Sequence, residues 1–419
     1  MKIVILSDSF DESNSSTRIA CQMAKVFLEK NHEVDIITST QDKAKAGKSK
    51  LNGMTVWSIY SNYNLFWRPY ISLYNYQIVS SLKKILNELK PDVVHAHNIH
   101  IYLSYHALKV AKQTGAKVFL TAHDVMLFHY GKLTEFIDSQ NLKIPKKFNY
   151  KISIWQQIKK AGKTYNPFRN IIIRSYLKYV NKIFAVSNAL KQVLNDNNIR
   201  NVEVIQNGIN VDEWAVEDKI VDDFKNKYNL GAKKIILFGG RLSETKGGRK
   251  IVLAMGEIVK KAPDANLLVI GKIDDYAKQM IDLATKLGIR DKLVFTGWLT
   301  GDLLKSAFNA CDIIAVSSIC FDSFPTINLE AMACQKPVIA TCFGGSKEVV
   351  QNGQTGYILN PYNTKLMAEK IVDLLKNSEK ARTFGQAGYE RVKNELSLER
   401  QVKKTIEWYQ RMFSDKRTD

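Results

Sequence analysis

The chain has 419 residues, 45% hydrophobic and 24% charged, a balance typical of globular proteins that excludes disordered, collagen-like and coiled-coil classes. Its length predicts two or three domains. The formal net charge of +20 is uneven, since residues 1–200 hold 29 Lys and Arg against 13 Asp and Glu, whereas residues 201–419 hold 32 against 28.

Basic residues are concentrated in one stretch of the first half. Residues 139–200 contain 13 basic residues and a single acidic one, Asp196. Such one-sided charge favours a polyanionic partner, which could be an anionic lipid surface, a nucleic acid or a phosphorylated acceptor. The simpler alternative is a well-solvated helical face, although such a face normally mixes both signs.

Several segments bear on targeting and redox state. The longest apolar runs, such as 311–318, are too short to span a membrane, and the four-residue apolar run after Lys2 predicts no signal peptide. The five cysteines form no Cys-x-x-Cys pair. They are therefore predicted to be buried free thiols in a reducing cytoplasm.

In chain order, the first half alternates apolar strands with amphipathic helices, which predicts a doubly wound α/β domain over 1–205. Two regions interrupt it: 57–76, with eight aromatic residues, and the basic insertion 128–175. Aromatic and basic residues together suit an interfacial membrane contact, with ordinary packing as the alternative. The predicted strands are 1–7, 34–37, 93–96, 117–122, 183–186 and 202–205.

The second half repeats the alternation, so a second α/β domain is predicted over 206–398. A final amphipathic helix is expected at 399–413. The predicted strands are 235–238, 266–270, 292–295, 312–316 and 337–341, and the predicted helices are 248–261, 277–287, 303–310 and 326–334.

Two carboxylates eight residues apart mark a candidate polar-ligand site. Asp322 falls on a loop and Glu330 in the first turns of a predicted helix. The start of a helix offers unpaired N–H groups that suit a phosphate or a polar sugar group, and a carboxylate accepts hydrogen bonds from sugar hydroxyls. Alternatively, the negative charge simply complements the helix dipole.

A glycine-rich turn with two cations lies between a strand and a helix at 238–248. Its glycines permit close backbone approach to a ligand. Arg241 supplies a bidentate fork for phosphate and Lys246 a point charge. The combination favours diphosphate binding over the alternative of a surface loop with routine cations.

Histidines follow two predicted strands. His123 stands at the carboxyl end of a strand, where doubly wound domains place ligands. His95 and His97 end another strand, and with His100 they raise the alternative of a metal site. His95 and His97 would lie on one face of the strand, but no third ligand for this pair is evident. No Asp-x-Asp motif occurs either, so we predict no metal.

Taken together, these residues resemble the retaining family-four glycosyltransferases of the GT-B fold. The resemblance spans nearly the whole chain and is densest over 235–350. The matching segments, in order, are 93–98, 121–124, 186–187, 205–209, 238–247, 295–298, 322–334 and 337–341 with Gly344, Gly345 and Glu348.

The resemblance implies an α/β architecture of two Rossmann-like doubly wound domains facing across a cleft. The domain 1–205 would bind the acceptor, and 206–398 would bind the nucleotide sugar. The final helix would pack back onto the first domain. No divalent metal and no other cofactor would be needed besides the donor, which is expected to be linked to UDP or GDP.

Individual roles follow from the resemblance. Arg241 and Lys246 match the pair that holds the donor diphosphate, and Glu330 matches the acid that binds the ribose. Asp322 matches an acid that contacts sugar hydroxyls, and His123 lies near the transferred sugar. His123, Asp322, Arg241 and Lys246 are the expected catalytic residues, and further donor contacts are expected from Gly240, Ser323, Phe324 and Thr326.

Three positions depart from the family pattern. Asn14 and Ser15 replace the usual Gly-Gly of the first turn, where they and His123 are expected to face the acceptor. Asp322 is one methylene shorter than the usual Glu. Pro325 occupies a position that is often Gly in the family, and proline lacks a backbone N–H.

The sequence therefore predicts a retaining, metal-independent hexosyltransferase for surface polysaccharide, lipopolysaccharide, capsule or glycolipid synthesis, acting on a glycan or lipid-linked acceptor. It is expected in the cytoplasm, with peripheral attachment to the inner membrane face through 139–200 as an option. A nucleotide-sugar epimerase and a basic membrane- or nucleic-acid-binding protein without catalysis are the alternatives, although no nucleic-acid module is apparent.

Overall fold

The computed structural model describes residues 1–10 and 15–414, which fold as two compact units. Among the described residues, the first unit comprises 1–10, 15–131, 150–207 and 398–414, and the second comprises 132–149 and 208–397. The sequence interpretation kept the whole basic insertion in the first domain. The structure assigns 132–149 to the second unit, because Leu133 and Phe136 pack against loops of that unit.

The first unit is built on one eight-stranded sheet. Its strands are β1 (Lys2–Leu6), β2 (Glu33–Thr40), β3 (Gly47–Leu51), β4 (Met54–Tyr60), β5 (Val93–Ala96), β6 (Lys117–Ala122), β7 (Lys182–Ala185) and β8 (Val202–Val204). They lie in the order β3-β4-β2-β1-β5-β6-β7-β8, and only the β3–β4 pair is antiparallel among those described. The central strands are apolar and buried, as expected for a sheet covered on both faces.

The hairpin of β3 and β4 is an element that the sequence analysis did not predict. Its turn is Asn52-Gly53, and both residues have positive φ, 46° and 81°. An Asn-Gly pair between two strands is the standard signal of a tight hairpin. The signal was therefore present in the sequence, but β3 is wholly exposed and lacks apolar alternation.

Helices cover the first sheet, and side chains cap several of them. Ser153 and Gln156 form a capping box, and Ser187 accepts a hydrogen bond from the backbone N–H of Leu190. The helices are α1 (Ser15–Glu29), α2 (Arg68–Ile71), α3 (Tyr76–Leu89), α4 (His106–Gln113), α5 (Ile154–Ala161), α6 (Arg169–Leu177) and α7 (Asn188–Asp196).

The C-terminal helix, Leu398–Ser414, belongs to the first unit, where it packs against α1. Its Tyr409 is fully buried, with the rings of Phe27 and Phe119 at 5.9 and 4.7 Å between centroids. The Tyr409 hydroxyl lies 2.6 Å from Nδ1 of His95 on β5. This helix therefore completes the core beneath the first sheet.

The second unit is built on a six-stranded, fully parallel sheet. Its strands are β9 (Lys234–Phe238), β10 (Ala265–Val269), β11 (Leu293–Phe295), β12 (Ile313–Val316), β13 (Val338–Thr341) and β14 (Gly356–Leu359). The helices are α8 (Asp218–Lys227), α9 (Gly248–Lys261), α10 (Asp275–Lys286), α11 (Gly301–Ala310), α12 (Thr326–Ala333), α13 (Ser346–Val349), α14 (Thr364–Lys376) and α15 (Ser378–Glu395).

The strand orders confirm two Rossmann-like, doubly wound units. The second sheet runs β11-β10-β9-β12-β13-β14, so its direction of winding changes between β9 and β12. The first sheet changes direction between β1 and β5. Ligands of doubly wound folds bind beyond the carboxyl ends of strands at these points, which directs attention to the loops after β9 and β12, and after β1 and β5.

Two further predictions concern the cysteines and membrane-spanning segments. All five cysteines are buried free thiols, as predicted. Within the described part of the chain, none of the helices has both the length and the apolar character needed to cross a bilayer.

We expect Tyr409→Ala to lower the free energy of unfolding by about 3–5 kcal/mol, because it leaves a cavity in a packed aromatic core. Tyr409→Phe should cost about 1–3 kcal/mol, since it leaves His95 Nδ1 without its partner. Urea unfolding followed by circular dichroism measures both. Gln410→Ala, an exposed change on the same helix, is the control, and an equal effect in all three variants would contradict the assignment.

Candidate functional site

The turn after β9 passes very close to the loop after β12, and glycines make this possible. The backbone N–H of Gly239 donates to Ala315 O at 2.7 Å. A Cβ on Gly247, where φ is 78°, would lie 1.9 Å from Ser317 O. Any side chain at Gly247 would therefore force the two loops apart.

This approach brings together two predicted site residues, Lys246 and Asp322. The Lys246 ammonium lies 2.5 Å from Asp322 Oδ2, and the Ser318 hydroxyl donates to the same oxygen at 3.0 Å. The two side chains are 24% and 13% exposed. They form a largely buried, hydrogen-bonded ion pair at the point where the winding direction changes.

Charge sets the protonation states of this pair. Burial alone raises the pKa of the Asp322 carboxyl, but the positive charges of Lys246 and Lys132 outweigh it and hold that pKa below its usual value. Burial likewise lowers the pKa of Lys246, but Asp322 outweighs it and raises that pKa. Both groups are therefore ionised at neutral pH.

The backbone of Asp322 is held by the loop after β13. A Cβ on Gly344, where φ is 97°, would lie 2.1 Å from Asp322 O. The backbone N–H of Gly345 donates to that oxygen at 2.8 Å, and Asp322 N–H donates to Phe343 O at 3.3 Å. The Gly344-Gly345 pair thus fixes the carboxylate from the main-chain side.

The other predicted donor-site residues lie on the loops after β9 and β12 and on α12. Arg241 is exposed and makes no ion pair within the described residues, although its charge acts against protonation of Lys246. Glu330 is only 5% exposed on α12. Three more follow on the same loop and helix: Ser323 and Phe324 are buried, and Thr326 is the first residue of α12.

Pro325 occupies the N-cap of α12 and provides no side-chain cap. The first N–H groups of α12 are therefore not satisfied by a capping side chain from that position, which leaves them suited to an anionic or polar group. Gly240 has a φ of 120°, a backbone conformation that glycine adopts without strain.

The sequence analysis missed the contribution of 132–149. Leu133 O accepts a hydrogen bond from the N–H of Phe321, directly before Asp322, at 2.8 Å. Phe136 packs edge-on against Phe321 and Phe343. No local pattern in the sequence signals this pairing, because its partners lie in a distant part of the chain.

The same segment reaches the loop after β14. The Asn360 side-chain amide donates to Asn141 O at 2.7 Å and to Lys143 O at 2.9 Å. Lys132 supplies one of the positive charges that lower the pKa of Asp322. Part of the basic insertion therefore shapes the electrostatics of the second-unit site.

The first unit carries a histidine cluster at the carboxyl ends of β5 and β6. Nδ1 of His97 lies 3.0 Å from Nε2 of the predicted site residue His123. His100 lies 3.9 Å from Asp124 Oδ2. Burial lowers the pKa of His123 to about 4 and that of His95 to about 3, so these imidazoles are neutral at neutral pH.

The loop after β1 is the third part of this first-unit face. Asp8, 6% exposed, accepts hydrogen bonds from the backbone N–H groups of Ile101, Tyr102 and Leu103 at 2.7–2.8 Å. The sequence analysis did not single it out. Of the two predicted acceptor-side residues, Ser15 begins α1, and Asn14 lies outside the described residues.

Titratable side chains can also act as metal ligands. Across residues 1–10 and 15–414, no group of three His, Cys, Asp or Glu side chains is arranged to hold a metal ion. The positive charges that act on the Lys246–Asp322 pair include those of Arg241 and Lys132.

Comparisons with known proteins agree with the architecture. The family model described as "Glycosyl transferases group 1" matches residues 221–391, and that described as "Glycosyltransferase Family 4" matches residues 16–213. Together the two models account for most of the chain, with one model falling largely on each unit.

Individual relatives were compared as well. N-acetyl-alpha-D-glucosaminyl L-malate synthase of Bacillus anthracis is 23% identical over 427 residues, covering 99% of this chain and 97% of that protein. Spore coat protein SA of Bacillus subtilis is 27% identical over 207 residues, covering 47% and 54%. The chain spans about half the length of the first curated relatives that it matches.

One solved structure shows the same fold. Anabaena Alr3699/HepE, determined in complex with UDP, superposes with a TM-score of 0.71 at 16% identity, covering 97% of this chain and 99% of that one.

We expect Lys246→Met to lower the free energy of unfolding by about 3 kcal/mol or more at pH 7, since it leaves a mostly buried carboxylate unpaired. The folded-state pKa of Asp322 is lowered, so its stabilising effect is present above the pKa of an unfolded carboxyl and is lost as the pH falls through the lowered value. The difference between wild type and Lys246→Met should therefore shrink in acid.

Urea unfolding at several pH values measures this dependence. Lys260→Met is the control, because Lys260 pairs with Glu257 on an exposed helix surface and should cost less than about 1 kcal/mol. A Lys246→Met effect that is independent of pH would show that the ion pair is not its source.

Proposed function

Because the chain belongs to the family-four glycosyltransferases of the GT-B fold, we propose that it transfers a sugar from a nucleoside diphosphate sugar to an acceptor hydroxyl, with retention of anomeric configuration. The observation that carries the proposal is the Lys246–Asp322 ion pair beside Arg241, where the winding of the second sheet changes direction. Lys246 and Arg241 are cations that can bind a diphosphate, and they lie next to a carboxylate that can bind sugar hydroxyls.

Arg241 and Lys246 take the donor diphosphate in this proposal. Breaking the bond between the sugar and the phosphate leaves negative charge on the diphosphate and an oxocarbenium-like sugar. Both cations, with the N–H groups at Thr326, stabilise that charge. Removal of one preorganised partner of this kind typically lowers the rate by roughly a hundredfold or more.

The remaining donor contacts are assigned from the family resemblance. Asp322 binds sugar hydroxyls, and Glu330 binds the ribose. Gly240 allows the diphosphate to approach the main chain. Ser323 and Phe324 complete the donor site between these residues.

The acceptor oxygen forms its bond to the anomeric carbon on the face from which the diphosphate leaves. The bond from that carbon to the phosphate oxygen breaks, and the acceptor proton passes to the departing diphosphate. His123 and Ser15 are assigned to the acceptor side in this proposal, and Asn14 is assigned there from the sequence alone. The reaction requires no divalent metal in this proposal, because side chains supply the positive charge.

The donor is proposed to carry UDP or GDP and to deliver a hexose. The binding of UDP by Anabaena Alr3699/HepE, a protein of the same fold, supports the uridine nucleotide. The acceptor is proposed to be a glycan or a lipid-linked glycan used for surface polysaccharide or glycolipid, with synthesis on the cytoplasmic side of a membrane.

An exposed aromatic surface of the first unit supports a membrane-linked acceptor. Trp155 is 79% exposed on α5 and Trp67 is 53% exposed next to α2. The Tyr70 hydroxyl on α2 donates a hydrogen bond at 3.1 Å to Tyr165 O, in the chain that follows α5. The basic residues of 150–200 lie in the same unit, whereas those of 139–149 lie in the other.

We expect nucleotide sugars to raise the Tm of the full chain without added metal. At a hundredfold excess over Kd, ligand binding stabilises by about 2.7 kcal/mol. One nucleotide sugar should give the largest shift, and Arg241→Ala and Glu330→Ala should abolish it. Arg382→Ala, an exposed arginine on α15, is the control. No shift at millimolar nucleotide sugar would contradict the donor site.

Product analysis then separates transfer from epimerisation. With the donor that gives the largest shift, a transferase should release its sugar onto an added acceptor. An altered nucleotide sugar formed without acceptor would favour the epimerase.

We expect the protein to co-sediment with vesicles containing anionic lipid and to be released by salt, because each Lys or Arg near such a surface contributes about 1 kcal/mol. Trp155→Ser should weaken binding. Trp298→Ser is the matched control, since Trp298 is 51% exposed in the second unit. Equal loss in both variants would show that the first-unit surface is not the contact.

A further inference from the structure

Two histidines share one hydrogen bond at the carboxyl ends of β5 and β6. Nδ1 of His97 and Nε2 of His123 are 3.0 Å apart, and the ring centroids are 5.3 Å apart with planes inclined by 24°. Burial, reinforced by His95 and His123, places the pKa of His97 well below its usual value. Burial also lowers the pKa of His123 to about 4, despite the opposing charge of Asp124.

Each ring therefore carries one proton at neutral pH, and the shared hydrogen bond has two arrangements. Either His97 donates from Nδ1 to Nε2 of His123, or His123 donates from Nε2 to Nδ1 of His97. The choice fixes which nitrogen of each ring bears the remaining proton.

The surroundings of His97 Nε2 distinguish the two arrangements of the hydrogen bond. His97 is 2% exposed, and its Nε2 is buried with no hydrogen-bond partner among the described residues. The first arrangement leaves an unpaired lone pair there, whereas the second leaves an unpaired N–H. Among backbone groups, orphaned buried N–H donors are rarer than under-satisfied acceptors, and the same ranking applied to the imidazole favours the first arrangement.

We infer that His97 is a positioning residue which donates from Nδ1 and so holds His123 in the tautomer protonated at Nδ1. Nδ1 of His123 makes no hydrogen bond to another described residue. His123 then presents a fixed N–H donor to whatever occupies the first-unit face. In that state its ring has no free acceptor nitrogen, so it is not a general base.

The neighbouring residue His95 fixes the position of the His97 ring. The ring of His95 packs against it with centroids 4.4 Å apart. His95 Nδ1 lies 2.6 Å from the Tyr409 hydroxyl, and its Nε2 lies 2.8 Å from Thr121 Oγ1. Because hydrogen bonds hold the His95 ring at both nitrogens, this ring cannot turn. The His97 ring therefore lies between the fixed ring of His95 and the ring of His123.

The chemical consequence rests on the proposed function. A neutral donor at this place would bind a sugar or acceptor oxygen and orient it, without taking the acceptor proton. That agrees with the proposed transfer of this proton to the departing diphosphate. A histidine held in the wrong tautomer is known to cost catalysis heavily while leaving geometry intact.

The test is a two-bond 1H–15N correlation spectrum of the ligand-free full chain with 15N-labelled histidine. The His123 signals are assigned by their disappearance in His123→Gln. We expect a protonated Nδ1 and an unprotonated Nε2 on His123 in the wild type. A protonated Nε2 on His123 would overturn the inference without any further variant.

Two substitutions of His97 sharpen the result. His97→Phe keeps a ring but removes the donor, so His123 should lose its single tautomer. His97→Asn keeps a hydrogen-bonding atom near the position of Nδ1 and should restore it. His106→Phe, which alters another partly buried histidine of the first unit, should change nothing at His123. An unchanged His123 tautomer in His97→Phe would overturn the inference.

Kinetics provide the second readout once a donor is identified. His97→Phe should lower kcat by roughly tenfold or more, with donor Kd unchanged and partial recovery in His97→Asn. An unchanged kcat would overturn the positioning role. The spectra need no donor, so failure to find transfer would count against the proposed function alone.

Discussion

The ion pair of Lys246 and Asp322 is the interaction on which the second-unit site depends. A largely buried ion pair must offset its desolvation, so its geometry has to be held accurately. Gly247 and Gly344 provide that accuracy, since each allows a backbone approach that a Cβ would block. Two loops from different strands are thereby fixed around one pair of charges.

The pair also explains how two buried or clustered cations are stabilised in a strongly basic protein. Asp322 neutralises Lys246, and Arg241 is exposed to solvent. The first-unit face follows the opposite rule, since its buried histidines are neutral and act through hydrogen bonds. In the proposed function, the second-unit site would bind its ligand through charges, and the first-unit face through neutral hydrogen-bonding groups.

Much of the fold was predictable from local pattern. Continuous apolar runs identified the strands around the site because parallel strands are buried on both faces, and glycines and charged residues after β9 and β12 identified the loops. The β3–β4 hairpin was missed although Asn52-Gly53 signals it. The packing of 132–149 on Phe321 and the contact of Tyr409 with His95 were beyond local reasoning, because each joins residues far apart in the chain.

The course of 132–149 has a consequence for protein engineering and for recombination between relatives. The second unit is discontinuous in sequence, so a fragment of 208–397 lacks the segment that covers Phe321 and Phe343. A chimaera with a single crossover near 207 would combine one parent's 132–149 with the other parent's site loops. Exchange of the whole second-unit site by swapping halves would therefore require two further crossovers around 132–149, or aromatic rings in this segment and in the site loops that still pack together.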